Sequence, residues 1–171
     1  MKIEALKEKV KEQMTERRWQ HTLGVMESAA ALAKKHGADV KDAYLAGLLH
    51  DYATYWPLEK QRQVIIEGGL PQELLLYSPA LWHGPVAAHI AKTELGIHHP
   101  DVLNAIYYHT SGREGMSKLE KVVCLADYIE PGRQFPQVEH IRELAGQSLE
   151  KGLIAALDST IQFLIEKGHK I

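Results

Sequence analysis

Apolar residues recur along this chain at three- and four-residue spacings, which is the signature of amphipathic helices. Ile3, Leu6, Val10 and Met14 set the first helical stripe. A second helix is predicted over about 15–36, closed by Gly37. Trp19, Leu23, Met26, Ala30 and Ala33 form one line along it. His21, Val25, Ser28 and Leu32 form another on roughly the opposite side, so this helix is expected to be central and His21 buried. Asp39, with Asp42 three residues on, caps a third helix running to about His50. Pro57 suits the first turn of a fourth, which Gly68 and Gly69 end. Pro71 and Pro79 start short helical pieces, Gly84-Pro85 opens a helix ending near Gly96, and Pro100 opens one running to His109. Residues 110–115 read as a turn. Ser117 and Glu120 make a capping box for a helix to about Ile129, broken by Pro131-Gly132. Two further helices are predicted over about 138–145 and 149–167. No alternating strand pattern of useful length interrupts the series, so the predicted fold is all-α.

Length and charge narrow the picture. At 171 residues the chain suits one domain with one core, expected over 1–171 with the final two helices included. A net charge of −2 gives no general nucleic-acid footprint. The N-terminus is charged and amphipathic, unlike a signal core, and no segment suits a bilayer span. The lone Cys124 cannot form an internal disulfide, which points to a reducing, cytoplasmic setting.

The candidate chemistry sits where polar residues interrupt apolar faces. The run of small and apolar residues over 43–49 ends in His50-Asp51. Side chains of this kind are rarely buried without a partner. A helix-terminal histidine beside a capping aspartate would be one explanation. His21 could be a core histidine with a backbone partner, and Asp127, on a face with Val123 and Cys124, could pair with an arginine. Together, two imidazoles and two carboxylates from three helices form a nitrogen–oxygen set suited to Mn²⁺, Fe²⁺, Zn²⁺ or Ni²⁺. His83, just before a helix start, and His109 could ligate a second ion, bind phosphate oxygen or donate a proton. His36, His140 and His169 read as solvated, His89 as structural, and His98 and His99 carry no assigned role.

The order His21, His50-Asp51, Asp127 resembles the signature of the HD-domain metal-dependent phosphohydrolases. Five blocks bring it closer to the YqeK-type branch of that family. They are residues 18–25 (Arg-Trp-Gln-His-Thr-Leu-Gly-Val), 46–53 (Ala-Gly-Leu-Leu-His-Asp-Tyr-Ala), 83–87 (His-Gly-Pro-Val-Ala), 108–112 (Tyr-His-Thr-Ser-Gly) and 126–133 (Ala-Asp-Tyr-Ile-Glu-Pro-Gly-Arg). The resemblance spans about 15–135 and implies an HD-domain helical bundle. It implies symmetrical bis(5′-nucleosyl)-tetraphosphatase activity, cleaving diadenosine tetraphosphate to two ADP. It carries over His21, His50, Asp51 and Asp127 as metal ligands, with iron as the associated metal and one or two ions in the site. It places Arg18, His83, His109 and Arg133 on the phosphates, with His83, His109 and Asp51 as catalytic candidates. Two other readings stay open: a nucleotide phosphatase acting on mono- or diphosphates, and a non-catalytic nucleotide-binding HD module. A small nucleotide is the expected partner, and neither nucleic acid nor membrane is expected. Oligomeric state, a homodimer included, stays open. The chain departs from the cyclic-dinucleotide phosphodiesterases of the same superfamily, because Tyr52, Ala53, Thr54 and Tyr55 follow Asp51 with no lysine close behind.

Overall fold

The computed structural model describes residues 2–171. Its helices are α1 (Ile3–Lys11), α2 (Glu16–His36), α3 (Val40–Leu49), α4 (Leu58–Glu67), α5 (His83–Thr93), α6 (Pro100–Tyr107), α7 (Lys118–Ile129), α8 (Val138–Gln147) and α9 (Leu149–Lys167). Two 3₁₀ turns, Gln72–Leu76 and Pro79–Leu81, fill the stretch between α4 and α5. The fold is all-α, and the described residues contain no strand.

The most apolar segments lie at the centre. Helix α3 packs against α2, α5, α6 and α7, and Ala43, Ala46, Leu48 and Leu49 are completely buried there. Gly47 permits the tightest of these contacts. A Cβ on it would stand 3.1 Å from the Met26 Cα, so a side chain there would press the α2 and α3 backbones apart. Helices α8 and α9 form a hairpin laid on α7. A Cβ on Gly152 would meet the Ala145 backbone at 2.9 Å. The same buried apolar cluster continues through Ile141, Ala145, Leu149, Leu153 and Ala156 of this hairpin.

The caps follow the sequence reading. Thr15, Asp39 and Ser117 each accept a hydrogen bond from the backbone N–H three residues on, and Gly37 ends α2 with φ 80°. Four details differ. Helix α1 stops at Lys11, short of Met14. Helix α2 buries one broad face, Trp19, Thr22, Val25, Met26, Ala29, Leu32 and Ala33, in place of two opposite lines. The reason is that its partners α3 and α7 stand side by side, so Leu23 and Ala30 are left half-buried. His36 is not solvated; its Nε2 lies 2.9 Å from the Ala145 carbonyl and ties the end of α2 to α8.

The fourth difference bears on function. Helix α6 ends at Tyr107, so His109 sits in the turn beyond it, not on it. A continuing helix would give the Ile106 carbonyl to the amide of Thr110. Instead that carbonyl accepts from His109 Nδ1 at 2.7 Å. Helix α3 ends in the same way, with His50 Nδ1 donating to the Gly47 carbonyl at 2.6 Å. Each histidine closes its own helix and is held by it.

Candidate metal and phosphate site

His21 comes from the second turn of α2, His50 and Asp51 from the end of α3, His109 from the turn after α6, and Asp127 from the last turn of α7. The packing of α2, α6 and α7 around α3 brings them to one buried point. Within it, two overlapping triads share His50: His21, His50 and Asp127, and His50, Asp51 and His109. In each triad one ligand atom per residue lies within 4.8 Å of the others.

Hydrogen positions follow from the partners. A carbonyl oxygen only accepts, so Nδ1 of His50 and Nδ1 of His109 each carry the hydrogen. His21 Nδ1 faces the Glu130 carboxylate at 3.1 Å and is likewise the donor. With the hydrogen on Nδ1, the neutral form of each ring would turn a bare Nε2 lone pair inward. These lone pairs meet carboxylate oxygens: His21 Nε2 is 2.9 Å from Asp127 Oδ1, and His50 Nε2 is 3.1 Å from Asp51 Oδ2. Lone pairs facing lone pairs repel unless a cation lies between them. Three of the converging atoms, His21 Nε2, His50 Nε2 and Asp51 Oδ2, are buried with no aligned hydrogen-bond partner. Unsatisfied buried polar atoms of this kind need an explanation, and a divalent ion supplies one. The residues present thus fit a metal.

The electrostatics say the same in another form. Burial pushes the His50 imidazolium toward losing its proton, but the charge and hydrogen bond of Asp51, with Asp127 behind, raise its pKa overall. Burial also works against the Asp51 carboxylate; His50, His83 and Arg18 outweigh it and hold the group ionised, well below the usual carboxylate range. Asp127 is lowered too, with burial opposed by the His21 hydrogen bond and the His50 charge. The site attracts positive charge strongly. His109 behaves oppositely. Burial, then the neighbouring charges of His83 and His50, push its pKa down to about 3, so it stays neutral.

The remaining predicted residues form the rim. Arg18 Nε reaches to 2.7 Å from Asp51 Oδ2, close but without hydrogen-bond alignment. Arg133 Nη2 binds Asp127 Oδ1 at 2.9 Å and its Nε binds the Asp127 carbonyl at 2.8 Å. The arginine pairing anticipated as an alternative role for Asp127 is therefore present alongside the ligand cluster. His83 Nε2 stands 3.0 Å from His109 Nε2 and 3.3 Å from Asp51 Oδ1. Since His109 Nε2 has no hydrogen, His83 is the donor between them. Gly84 makes room for this pairing, because a Cβ there would lie 2.8 Å from the Tyr107 carbonyl and 3.3 Å from the His109 ring.

Three residues escaped the sequence reading. Thr54 donates to Asp51 Oδ1 at 2.7 Å. Glu130, 4 % exposed, orients His21 and accepts from the Gly132 N–H at 2.7 Å. Arg142 on α8 binds the carbonyls of Ile129, Glu130 and Arg133 at 2.8–3.0 Å, fixing the turn that carries Glu130 and Arg133. A signal for Glu130 was available. Gly24 lies mid-helix, where glycine costs about 1 kcal/mol against alanine, and three residues after His21. Its missing side chain is what admits Glu130, whose Oε2 would stand 2.3 Å from a Cβ at that position.

Comparison with known proteins gives a consistent answer. The model of the HD domain matches residues 18–132. A symmetrical bis(5′-nucleosyl)-tetraphosphatase of Bacillus subtilis (strain 168) is 47% identical over 162 residues, covering 95% of this chain and 87% of that protein. Its namesake in Staphylococcus aureus (strain NCTC 8325 / PS 47) is 43% identical over 169 residues, covering 98% and 87%. The crystal structure of a predicted HD superfamily hydrolase involved in NAD metabolism, from Clostridium acetobutylicum, superposes with a TM-score of 0.95. It is 39% identical, with 100% of this chain and 91% of that chain covered.

Proposed function

The chain belongs to the HD-domain family, and from that premise we propose that it hydrolyses diadenosine tetraphosphate symmetrically to two ADP. Support comes from the curated relatives, which carry that name at 43–48% identity over nearly the whole chain. One structural observation carries the chemistry: three imidazole nitrogens, two of them without a hydrogen-bond partner, and two carboxylates converge beside two arginines. His21, His50, Asp51 and Asp127 would hold the ion, and iron is the metal proposed, with manganese, nickel or zinc also suited to the donor set. The single Nε2 lone pair of His50 serves one ion, and His109 with Asp51 would help to hold a second if the site takes two. A bound divalent ion supplies charge neutralisation at phosphate and acidifies a water molecule.

The chain's own groups do the rest. Arg18 and Arg133 bind phosphate oxygens, to which the guanidinium fork presents two donors at once. Asp51, held by Thr54, keeps its geometry as substrate enters. His83, whose Nε2 lies 3.0 Å from His109 Nε2 and 3.3 Å from Asp51 Oδ1, would hand a proton toward the leaving oxygen once substrate draws it from His109. One water adds to an inner phosphorus, the central P–O–P bridge breaks, and the second ADP departs. In-line positioning and neutralised charge account for most of the acceleration, as in phosphoryl transfer generally. Residues 1–171 are taken to act as one domain, since one apolar cluster runs from α1 to α9. The lone, deeply buried Cys124 suits a cytoplasmic setting.

Chromatography of early time points tests the reaction. Diadenosine tetraphosphate should yield ADP alone. AMP and ATP in equal amounts would overturn symmetric cleavage. Turnover confined to nucleoside mono- or diphosphates would favour the phosphatase reading, and tight nucleotide binding without turnover in Fe²⁺ or Mn²⁺ the binding-module reading.

A further inference from the structure

Two clefts, not one, open onto the ligand cluster, and Arg133 stands between them and lines both. The first, of about 640 Å³, reaches His109 and Asp127 and is walled by Tyr128, Phe135, Pro136 and Phe163. The second, of about 710 Å³, reaches His21 and is walled by Arg17, Arg18, Gln20 and Tyr55. Each volume falls within the roughly 300–1,000 Å³ range of sites for one drug-sized ligand. A nucleoside diphosphate is a ligand of that size.

The two clefts differ in chemistry. The chain has two phenylalanines, and both line the first cleft. Phe163, on α9, is 54 % exposed there, with Lys167 Nζ 5.9 Å from its ring centroid, on a helix anchored to α7 by Tyr128 and Thr160. Among the described residues lining that cleft, Arg133 is the one cation, and Glu166 adds a negative charge. Such a surface suits an uncharged aromatic base and sugar, and repels a polyphosphate. The second cleft carries Arg17, Arg18 and Arg133 against Glu27 and Glu130, with one exposed aromatic ring, Tyr55. It suits phosphate together with a second base.

A substrate with two identical halves must meet a protein surface that has no matching symmetry. If the central bridge is cut, equal lengths of substrate extend to either side of the ligand cluster. We propose that diadenosine tetraphosphate straddles the cluster, with one adenosine stacked on Phe163 in the aromatic cleft and the other seated by Tyr55 in the arginine-lined cleft. Arg133, between them, takes the phosphates at the bridge. Phe163 and Tyr55 are then specificity-determining residues that touch the bases and not the reacting atoms. This inference rests on the proposed symmetrical hydrolysis.

Steady-state kinetics of metal-loaded Phe163→Ala, Tyr55→Ala and the double variant test it, with Phe163→Trp as the conservative replacement. Both rings are surface-exposed, so the fold is expected to survive; circular dichroism checks it. Each single variant should raise KM for diadenosine tetraphosphate about tenfold with kcat unchanged, tenfold being ~1.4 kcal/mol and within the range for a base stacked on an aromatic ring. Phe163→Trp should keep the wild-type KM. The double variant should lose about a hundredfold, because separate contacts add. For adenosine 5′-tetraphosphate, which carries one base, one of the two single variants should match wild type. KM unchanged in either single variant, or a double variant no worse than a single one, would overturn the straddling arrangement. A wild-type enzyme that releases no ADP from diadenosine tetraphosphate would instead remove the underlying reaction.

Discussion

The floor of the site and its rim are built by different means. On the floor, His50 and His109 are 0–1 % exposed and each is locked by a carbonyl of its own helix, three residues back. Their geometry is local, and it exists as soon as α3 and α6 form. On the rim, Arg18 and Arg133 are 26 % and 36 % exposed, and each is aimed by a carboxylate from elsewhere in the site or by the turn after α7. Floor residues turn ligand atoms toward a common point, whereas Arg18 and Arg133 lay donors against the ligand carboxylates and stay partly open to solvent. The difference implies an all-or-none response to changes in the floor and a graded response at the rim.

The largest effect is expected from the floor. His50→Ala deletes the one residue common to both triads, and turnover should fall by about 10³-fold or more, the loss of a Lewis acid worth several kcal/mol. Helix content measured by circular dichroism should stay close to wild type. Turnover near the wild-type rate would mean that the shared triad residue is not a ligand.

Glu130 lies between floor and rim. It fixes the tautomer of His21 from 109 residues away in sequence. Glu130→Gln keeps the size but weakens the bond to Nδ1, and metal affinity should drop about 10- to 100-fold, the usual cost of losing such a supporting group. A metal titration reads this directly. An unchanged dissociation constant would show that Glu130 only packs against Gly24.

How much of this was legible in the sequence depends on the range over which each feature is determined. The caps at Thr15, Asp39 and Ser117 and the helix ends at Gly37 and Gly68 are local, and the chain spells them out. Polar residues stranded on apolar faces singled out His21, His50, Asp51 and Asp127, and the structure brings these together with His109, the sequence's candidate for a second ion. The helix-ending role of His109 was not legible, because a side chain competing for its own helix's carbonyl leaves no pattern of hydrophobicity. Glu130 and Arg142 were invisible for another reason. Their partners, His21 and the 129–133 carbonyls, are chosen by tertiary packing, and only the mid-helix Gly24 hinted at it.

Rim changes should be graded. Arg133→Ala should weaken nucleotide binding by about 2 kcal/mol, roughly thirtyfold, the worth of a charge-assisted contact, with metal content retained. Calorimetric titration with ADP checks it. Loss of metal together with affinity would place Arg133 with the floor, acting through Asp127.

The smallest effect is expected far from both. His36→Ala removes the bond to the Ala145 carbonyl and should cost about 1 kcal/mol of stability in urea unfolding, with turnover unchanged. Impaired turnover at full stability would mean that the α2–α8 tie reaches the site.

The central claim is that the converging imidazoles and carboxylates are a metal centre. Elemental analysis of wild type and Asp51→Asn, purified side by side after loading with Fe²⁺ or Mn²⁺, tests it most directly. At least one transition-metal ion per wild-type chain is expected, and loss of that ion in the variant with its fold intact. A wild-type chain that binds no ion yet hydrolyses diadenosine tetraphosphate at full rate, or a variant that keeps its full metal content, would contradict it.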